Sequence, residues 1–191
     1  QIRARLPTAR LDVYYGFWPA AMWNEQPHLL QLKRRLEPLL EQEGVHYHGM
    51  RSEAELAIAY AQAGFYAYPT DKAETSGIAL MKAQACGCIP VTSGLVASAL
   101  PETCADESSH FSYDLGPSGR PAGVCISSDL EWQRDFVRAL LAAATRPPGE
   151  LAALRERMKA SARERFSWAS VARQWTRIFY DENCAAAPPP P

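Results

Sequence analysis

The hydrophobic positions of this chain form two kinds of pattern that alternate along much of its length. Short apolar runs that end in glycine, proline or a polar residue are typical of buried strands. Such runs cover residues 11–15, 45–48, 65–68, 88–92 and 123–127. Between and after them, apolar residues recur at intervals of three and four, which predicts helices. The predicted helices cover residues 27–43, 53–63, 78–86, 130–145, 149–165 and 167–182, and residues 1–6 are the tail of another helix.

Several of these helices carry recognisable signals at their ends. Ser52 and Glu55 have the spacing of a capping box, Gly87 is placed to end a helix, and Ser167 is placed to cap the start of one. One broad face of the helix over residues 27–43 is apolar, which predicts that this face belongs to the core. Its leucines are Leu29, Leu30, Leu32, Leu36, Leu39 and Leu40.

Strands that alternate with helices, each strand almost continuously apolar, indicate a parallel sheet with helices on both faces. The sequence therefore predicts an α/β, Rossmann-like domain over residues 1–183, which ends in a run of helices. Residues 184–191 are rich in alanine and proline and are expected to be a disordered tail. Ligands of such sheets bind at the carboxyl ends of the strands. The strand-end residues, expected to line one crevice, are Gly16, His48, Gly49, Pro69, Thr70, Ser93 and Gly94.

The segment from residue 64 to residue 93 has the order strand, loop, helix, strand, and its loop meets the helix at Glu74-Thr75-Ser76-Gly77. A helix N-terminus offers unpaired N–H groups and the positive end of the helix dipole. Gly77 would let a ligand approach the backbone, so the sequence predicts a site for an anionic group such as a diphosphate. The alternative is that Ser76 and Gly77 form only a tight entry into the helix.

Composition changes this interpretation little. The net charge of −1 gives no general attraction to nucleic acid or to anionic membranes. The five cysteines are irregularly spaced, which favours reduced structural thiols and predicts no metal site. No apolar run has the length of about 20 residues that a membrane span needs. A cytoplasmic protein is therefore expected, with membrane association through parts outside this chain as the alternative. No Gly-x-Gly-x-x-Gly follows a strand, which disfavours a dehydrogenase.

The order of motifs along the chain resembles a known family. In sequence, these motifs are Gly16 after a strand, His48-Gly49, the Ser52–Glu55 pair, Tyr68-Pro69-Thr70, Glu74-Thr75-Ser76-Gly77, the stretch from Lys82 to Cys88, and Pro90-Val91. They resemble the nucleotide-sugar-binding, C-terminal half of group 1 glycosyltransferases with the GT-B fold, over about residues 8 to 128. Phe166-Ser167-Trp168 and the helix after them are similar to the terminal helix of that family.

The resemblance implies retaining transfer of a sugar from a nucleotide-diphosphate donor to an acceptor, without a metal ion or another cofactor. It places the diphosphate at Ser76-Gly77, the base near His48-Gly49-Met50 and the donor sugar near Glu74, which becomes the expected catalytic residue. The expected substrate-binding residues are Gly16, His48, Gly49, Met50, Thr70, Thr75, Ser76, Gly77, Lys82 and Glu102.

Each of these residues also has a purely structural interpretation. Glu74 would then be a solvated carboxylate before a helix, where it favours the dipole. His48 would be a satisfied histidine at a strand end, Lys82 a surface lysine, and Glu102 a residue that caps the next segment of the chain.

The chain departs from the family pattern at two places. The family has a second glutamate eight residues after the first, where it binds the ribose hydroxyls, and Lys82 occupies that position here. An ammonium group has only donors, so it cannot accept both hydroxyl protons as a carboxylate does. The first strand of this half and the acceptor-binding N-terminal half are also expected to precede residue 1, so the chain is expected to be a fragment that is inactive alone.

Two classes of function remain open at this point. The first is a glycosyltransferase module that acts with its other half, with a nucleotide sugar and an unidentified glycan, lipid or protein acceptor as partners. The second is a non-catalytic Rossmann-like domain that binds a nucleotide or a protein partner. Without its central strand, the sheet is expected to show five parallel strands, either split where that strand is missing or closed by direct pairing.

Overall fold

The computed structural model describes residues 1–16, 26–94, 98–104, 111–113 and 129–180. Helices and strands alternate through residue 113, and three helices come after them. The helices are α1 (Ile2–Arg5), α2 (Pro27–Leu40), α3 (Glu53–Gln62), α4 (Ile78–Cys86), α5 (Leu100–Thr103), α6 (Leu130–Ala144), α7 (Pro148–Phe166) and α8 (Trp168–Tyr180). The strands are β1 (Leu11–Val13), β2 (Val45–Tyr47), β3 (Phe65–Tyr68), β4 (Ile89–Ser93) and β5 (Phe111–Tyr113).

The described strands are all parallel and form two separate sheets. One sheet pairs β1 with β2, and the other has the order β3-β4-β5. Leu11 faces Val45 in the first sheet, and Phe65 faces Ile89 in the second. Among the described residues, neither β1 nor β2 pairs with a strand of the second sheet. The α/β, Rossmann-like fold class is confirmed.

One strand was not predicted from the sequence. β5 lies at Phe111–Tyr113, in a stretch where the apolar periodicity is lost, and pairs in parallel with β4. The strand predicted at residues 123–127 and the tail predicted at residues 184–191 lie outside the described residues.

Helix ends follow the predicted local chemistry closely. The backbone N–H of Ser52 donates to Glu55 Oε2 over 2.8 Å, and the N–H of Glu55 donates back to Ser52 Oγ, which completes the capping box. The N–H of Ser170 donates to Ser167 Oγ at the start of α8. These hydrogen bonds satisfy N–H groups that a helix leaves without intrahelical partners.

The chain divides into two compact units, residues 1–59 and 60–191. A single domain over residues 1–183 therefore stays a prediction. Among the described residues of the first unit, none is buried. The leucine face of α2 was expected in the core, and it is only partly covered: Leu32 is 43% exposed and Leu39 is 52% exposed, whereas the other four leucines are half-buried. Helical spacing identified the apolar face of α2 correctly, but the described part of the unit does not supply enough packed surface to bury it.

The apolar core of the described residues lies in the second unit. Tyr66 and Tyr68 pack against a cluster of Leu80, Leu100 and Cys104. Phe65 packs against a second cluster, formed by Ile89, Leu154 and Met158. Because successive residues of a strand point to opposite faces, β3 separates these two clusters. The strand is therefore held from both sides, and its carboxyl end at Tyr68 has a fixed position.

Helix α8 is strongly amphipathic, yet none of its residues is buried. Trp168 is 87% exposed and Phe179 is 69% exposed, and Trp175 stacks on Phe179 with ring centroids 5.4 Å apart. In the part of the chain that the structure describes, no helix has the length and apolarity needed to cross a membrane.

Candidate functional site

The candidate site is centred on the N-terminus of α4. Gly77 precedes the helix with φ 67° and ψ 45°, which is the left-handed region. The N–H of Met81 donates to the Gly77 carbonyl over 3.1 Å and so closes the first helical turn. The first N–H groups of a helix have no intrahelical partners, and Gly77 has no side chain to cap them. A helix end of this kind can bind an anion, and the anion site at Ser76-Gly77 stays a prediction.

Packing explains why residue 77 is a glycine. A Cβ on Gly77 would lie 3.0 Å from Leu100 Cδ2, and Leu100 is fully buried. Such a methyl group would point into the apolar cluster. The sequence interpretation linked Gly77 to close approach of a ligand, whereas the structure shows that the backbone conformation and the packing by themselves require glycine.

Two buried polar side chains fix the position of the helix entry. The Thr103 hydroxyl donates to the Ser76 carbonyl over 2.7 Å. Gln84 lies in the last turn of α4 and donates from Nε2 to the Thr103 carbonyl over 3.1 Å. Ser76, Thr103 and Gln84 thereby connect the loop, α5 and α4, which leaves the loop before α4 little freedom to move.

Glu74 is held at three of its atoms. Its N–H donates to Ser98 Oγ over 3.2 Å, and its carbonyl accepts from the N–H of Ala99 over 2.8 Å. Its Oε1 accepts a hydrogen bond of 2.5 Å from the hydroxyl of Tyr68. The carboxylate is half-buried. A carboxylate fixed in this way three residues before a helix N-terminus is oriented before any ligand arrives.

Tyr68 remains a hydrogen-bond donor over a wide pH range. Burial, followed by the hydrogen bond to Glu74 and the negative charge of Glu74, raises the pKa of Tyr68 to about 12. The N–H of Thr70 donates to the Tyr68 carbonyl over 2.9 Å. The hydroxyl of Ser93 donates to the Thr70 carbonyl over 2.6 Å, so the loop after β3 is tied to the end of β4.

The other predicted residues of this unit are more exposed. Thr75, Lys82 and Glu102 all have exposed side chains. The Glu102 carbonyl accepts from Arg165 Nη2 over 2.6 Å, so α7 holds this segment through the backbone of Glu102. The roles predicted for these three side chains stay predictions.

In the first unit, four predicted residues lie at the carboxyl ends of β1 and β2. Gly16 and Met50 are in contact, since a Cβ on Gly16 would overlap the Met50 side chain. His48 directly follows β2, and its N–H donates to the Val13 carbonyl over 2.9 Å. Gly49 follows with φ 69°. The structure therefore brings Gly16, His48, Gly49 and Met50 together at one sheet edge.

Sequence reasoning missed the polar partners of His48. His48 Nε2 lies 2.7 Å from Asp12 Oδ1, and its ring stacks on Tyr14 with centroids 4.5 Å apart. Arg10 Nε donates to Asp12 Oδ2 over 2.8 Å. Burial raises the pKa of Asp12, but the hydrogen bonds from Arg10 and His48 outweigh that effect, so the pKa falls below its usual value. The only sequence signal was a charged residue inside the apolar run of β1.

The cysteines of the described chain give no sign of reactive chemistry. Cys88 is buried, its thiol lies 3.0 Å from the Tyr60 carbonyl, and burial raises its pKa to about 12. A thiol with such a pKa stays protonated and is a poor nucleophile. Within the described residues, no group of three His, Cys, Asp or Glu side chains is placed to hold a metal ion.

A surface hollow of about 380 Å³ occurs in the first unit. Its lining residues are Lys33, Glu37, Leu40, Glu41 and Tyr47. None of them belongs to the predicted site. We assign the candidate site by the chemistry at the strand and helix ends, because Glu37 and Glu41 in the lining of this hollow carry carboxylates that would repel a diphosphate.

Two solved structures are similar to nearly the whole chain. One is a sucrose-phosphate synthase from Thermosynechococcus elongatus, with 16% identity and a TM-score of 0.66 over 97% of this chain. The other is the GtfA/B complex, with 18% identity and a TM-score of 0.67 over 94% of this chain. The matched parts are 41% and 31% of those two chains, so this chain spans less than half the length of either.

Both of these proteins are glycosyltransferases with the GT-B fold. The likeness confirms the fold that the motif order predicted, namely that of the C-terminal half of a GT-B glycosyltransferase. At these identities, the likeness shows the fold alone. No protein-family model matches the sequence, and no curated protein matches it.

Proposed function

We propose that this chain is the donor-binding module of a glycosyltransferase that uses a nucleotide-diphosphate sugar, retains the anomeric configuration and needs no metal ion. One observation carries the proposal: Glu74 is held at three atoms, three residues before the left-handed Gly77 that opens α4. A diphosphate at the N-terminus of α4 would place the sugar of the donor on the side of Glu74.

In this proposal, the protein supplies electrostatic stabilisation at two points. The N–H groups of the first turn of α4 offset the charge that builds up on the departing diphosphate. The carboxylate of Glu74 stabilises the positive charge that develops on the sugar ring. Lys82 has an exposed side chain on the same helix, α4, and would lie near the ribose or a phosphate.

The first test is nucleotide binding by the 191-residue chain. Calorimetry with UDP, GDP and ADP is expected to show binding to at least one of them with a Kd of about 1 mM or below, which corresponds to roughly −4 kcal/mol. The matching nucleosides, which lack the diphosphate, should bind more weakly, and a chelator should change nothing. If no nucleoside diphosphate gives heat at millimolar concentration, the proposal fails in favour of a module that binds only a protein partner.

The second test concerns Lys82, where the chain departs from the family pattern. Lys82→Glu is expected to tighten binding of a nucleoside diphosphate roughly fivefold, or about 1 kcal/mol, because a carboxylate can accept from the ribose hydroxyls. The gain should disappear with the 2′-deoxy nucleotide. Lys72→Glu makes the same charge change at another exposed lysine and should give no gain. A gain of equal size for both variants, or for the 2′-deoxy nucleotide, would show that Lys82 does not face the ribose.

A further inference from the structure

The hydroxyl of Tyr68 is the one side-chain donor to the Glu74 carboxylate among the described residues. The Tyr68 Oη–Glu74 Oε1 distance is 2.5 Å. Within the described part of the chain, Glu74 Oε2 accepts no hydrogen bond. The two carboxylate oxygens are therefore not equivalent: one is bonded to the protein and the other remains available to a ligand.

Tyr68 is itself rigidly placed, whereas Glu74 lies in a loop. Tyr68 is the last residue of β3 and pairs in register with Thr92, which is 1% exposed. Its ring lies 5.7 Å from the ring of Tyr66 and packs on the cluster of Leu80, Leu100 and Cys104. A side chain on a packed strand thus determines the direction of a loop carboxylate, and functional groups held by rigid elements are more precisely placed than groups held by loops alone.

A second hydroxyl supports the first. Thr70 lies two residues after Tyr68, its N–H donates to the Tyr68 carbonyl over 2.9 Å, and its own carbonyl accepts from the hydroxyl of Ser93 over 2.6 Å. A chain of hydrogen bonds therefore connects the end of β4 to the carboxylate, through the backbone of Thr70 and Tyr68 and then through the Tyr68 hydroxyl. Because burial and Glu74 keep the Tyr68 hydroxyl protonated well beyond neutral pH, this chain stays intact across the range in which enzymes work.

We propose that Tyr68 is a positioning residue for Glu74, whose hydroxyl fixes Oε1 so that Oε2 faces the donor sugar. The role assigned to Glu74 rests on the proposed function. Removing the hydroxyl leaves the charge of the carboxylate in place but frees its direction. The expected consequence is a loss of turnover rather than a loss of nucleotide binding, because the diphosphate is bound by the N-terminus of α4.

The matched pair for the test is Tyr68→Phe and Tyr66→Phe. Both remove one phenolic hydroxyl from β3, and only the first hydroxyl contacts Glu74. In a protein that contains this chain and transfers sugar, Tyr68→Phe should lower kcat about tenfold with KM within twofold. Tyr66→Phe should leave both constants unchanged. A kcat in Tyr68→Phe equal to that of the parent overturns the proposal, as does an equal loss in both variants.

A spectroscopic experiment on the 191-residue chain tests the contact without any activity. The ultraviolet absorbance of tyrosinate is followed after rapid mixing to alkaline pH. The absorbance of Tyr68→Phe is subtracted from that of the parent, which leaves the contribution of Tyr68. The same difference is measured in a Glu74→Gln background. Loss of the negative charge of Glu74 should move the ionisation of Tyr68 to lower pH, and an unchanged ionisation overturns the proposal.

The two experiments separate this proposal from the proposed function. Suppose that Glu74→Gln moves the ionisation of Tyr68 to lower pH and that the parent transfers sugar. A lower kcat in Tyr68→Phe then supports the positioning role, and an unchanged kcat overturns it. If no nucleotide sugar is bound or used by the parent, the proposed function fails, and a role in orienting Glu74 toward a sugar fails with it even though the contact exists. A thermal melt of both variants is the control for stability. A loss of stability would lower the melting temperature of Tyr68→Phe and would not lower kcat selectively at an unchanged KM.

Discussion

Glu74→Gln is expected to lower turnover by about a hundredfold or more and to leave the affinity for a nucleoside diphosphate within about twofold. Removing one group that stabilises transition-state charge typically costs a factor of 10²–10³ in kcat, or roughly 3–4 kcal/mol. Glutamine has the shape of glutamate, and its amide oxygen can still accept from Tyr68. The substitution therefore removes the negative charge and little else.

The separation of turnover from binding follows from the geometry. Glu74 lies before the helix, whereas the diphosphate is proposed to bind the N–H groups of the first turn of α4. Interactions that are stronger in the transition state than in the ground state change kcat, and the charge on the sugar develops only in the transition state. The measurement is steady-state kinetics of a protein that contains this chain, together with calorimetry on the same preparation.

Glu150→Gln is the control for this prediction. Glu150 is an exposed carboxylate in the first turn of α7, so its loss also removes one negative charge near a helix start. It should change neither constant. Equal turnover in Glu74→Gln and the parent would leave Glu74 as a loop carboxylate that favours the helix dipole. Loss of both turnover and binding would indicate that Glu74 acts on the phosphates or on the fold of the loop.

The helix ends were predictable because their chemistry is local. Gly77, Gly87 and the Ser52–Glu55 pair each act on N–H or C=O groups within a few residues, and the structure has them as predicted. The N–H of Cys88 donates to the Ala83 carbonyl and the N–H of Gly87 donates to the Gln84 carbonyl, which is the glycine-terminated helix end that the sequence indicated. Strands β1 to β4 were predictable for the same reason, since each is one apolar run.

Contacts between distant residues were not predictable in this way. His48 and Asp12 are 36 residues apart, and only the parallel register of β1 and β2 brings them within 2.7 Å. The apolar face of α2 was identified correctly from its spacing, but spacing does not say how much surface is available to cover it. β5 is three residues long, too short to produce a recognisable period, and its place beside β4 is decided by pairing rather than by its own sequence.

The position of Glu74 falls between these two cases. Its place before a helix follows from the sequence, and the sequence also predicts an anion site next to it. Its orientation depends on Tyr68 and on Ser98, which lies 24 residues away. Motif order could therefore nominate the carboxylate but could not indicate which of its oxygens is free. That information is what makes the roles of Glu74 and Tyr68 separable by experiment.

Gly77→Ala is expected to destabilise the chain by about 2–3 kcal/mol, and Gly87→Ala by about 1–2 kcal/mol. Both glycines are left-handed, with φ 67° and φ 97°, and a residue with a Cβ costs roughly 1–2 kcal/mol in that region. At residue 77 the new methyl group would also lie 3.0 Å from Leu100 Cδ2, and Leu100 is completely buried in the apolar cluster. Overpacking of this kind adds about 1 kcal/mol or more.

Gly87→Ala is a matched control because it changes the other end of the same helix. A Cβ on Gly87 would lie 2.6 Å from Lys159 Cε, which is the far end of a flexible side chain and can rotate away. Lys159 pairs with Glu156 over 2.6 Å, but Glu156 is exposed, so little is lost when that pair rearranges. For a chain of this size, each kcal/mol corresponds to a shift in melting temperature of about 2–4 °C.

The same two variants test whether α4 binds the nucleotide through its N-terminus. To relieve the contact with Leu100, the backbone around Gly77 must shift by a few tenths of an ångström, and Ser76 moves with it because its carbonyl is bonded to Thr103. Gly77→Ala should therefore weaken nucleoside diphosphate binding severalfold, whereas Gly87→Ala should leave it unchanged despite its own loss of stability. Equal affinities in Gly77→Ala and the parent would place the diphosphate elsewhere. Equal losses in both variants would show that affinity follows global stability rather than the geometry of this helix end.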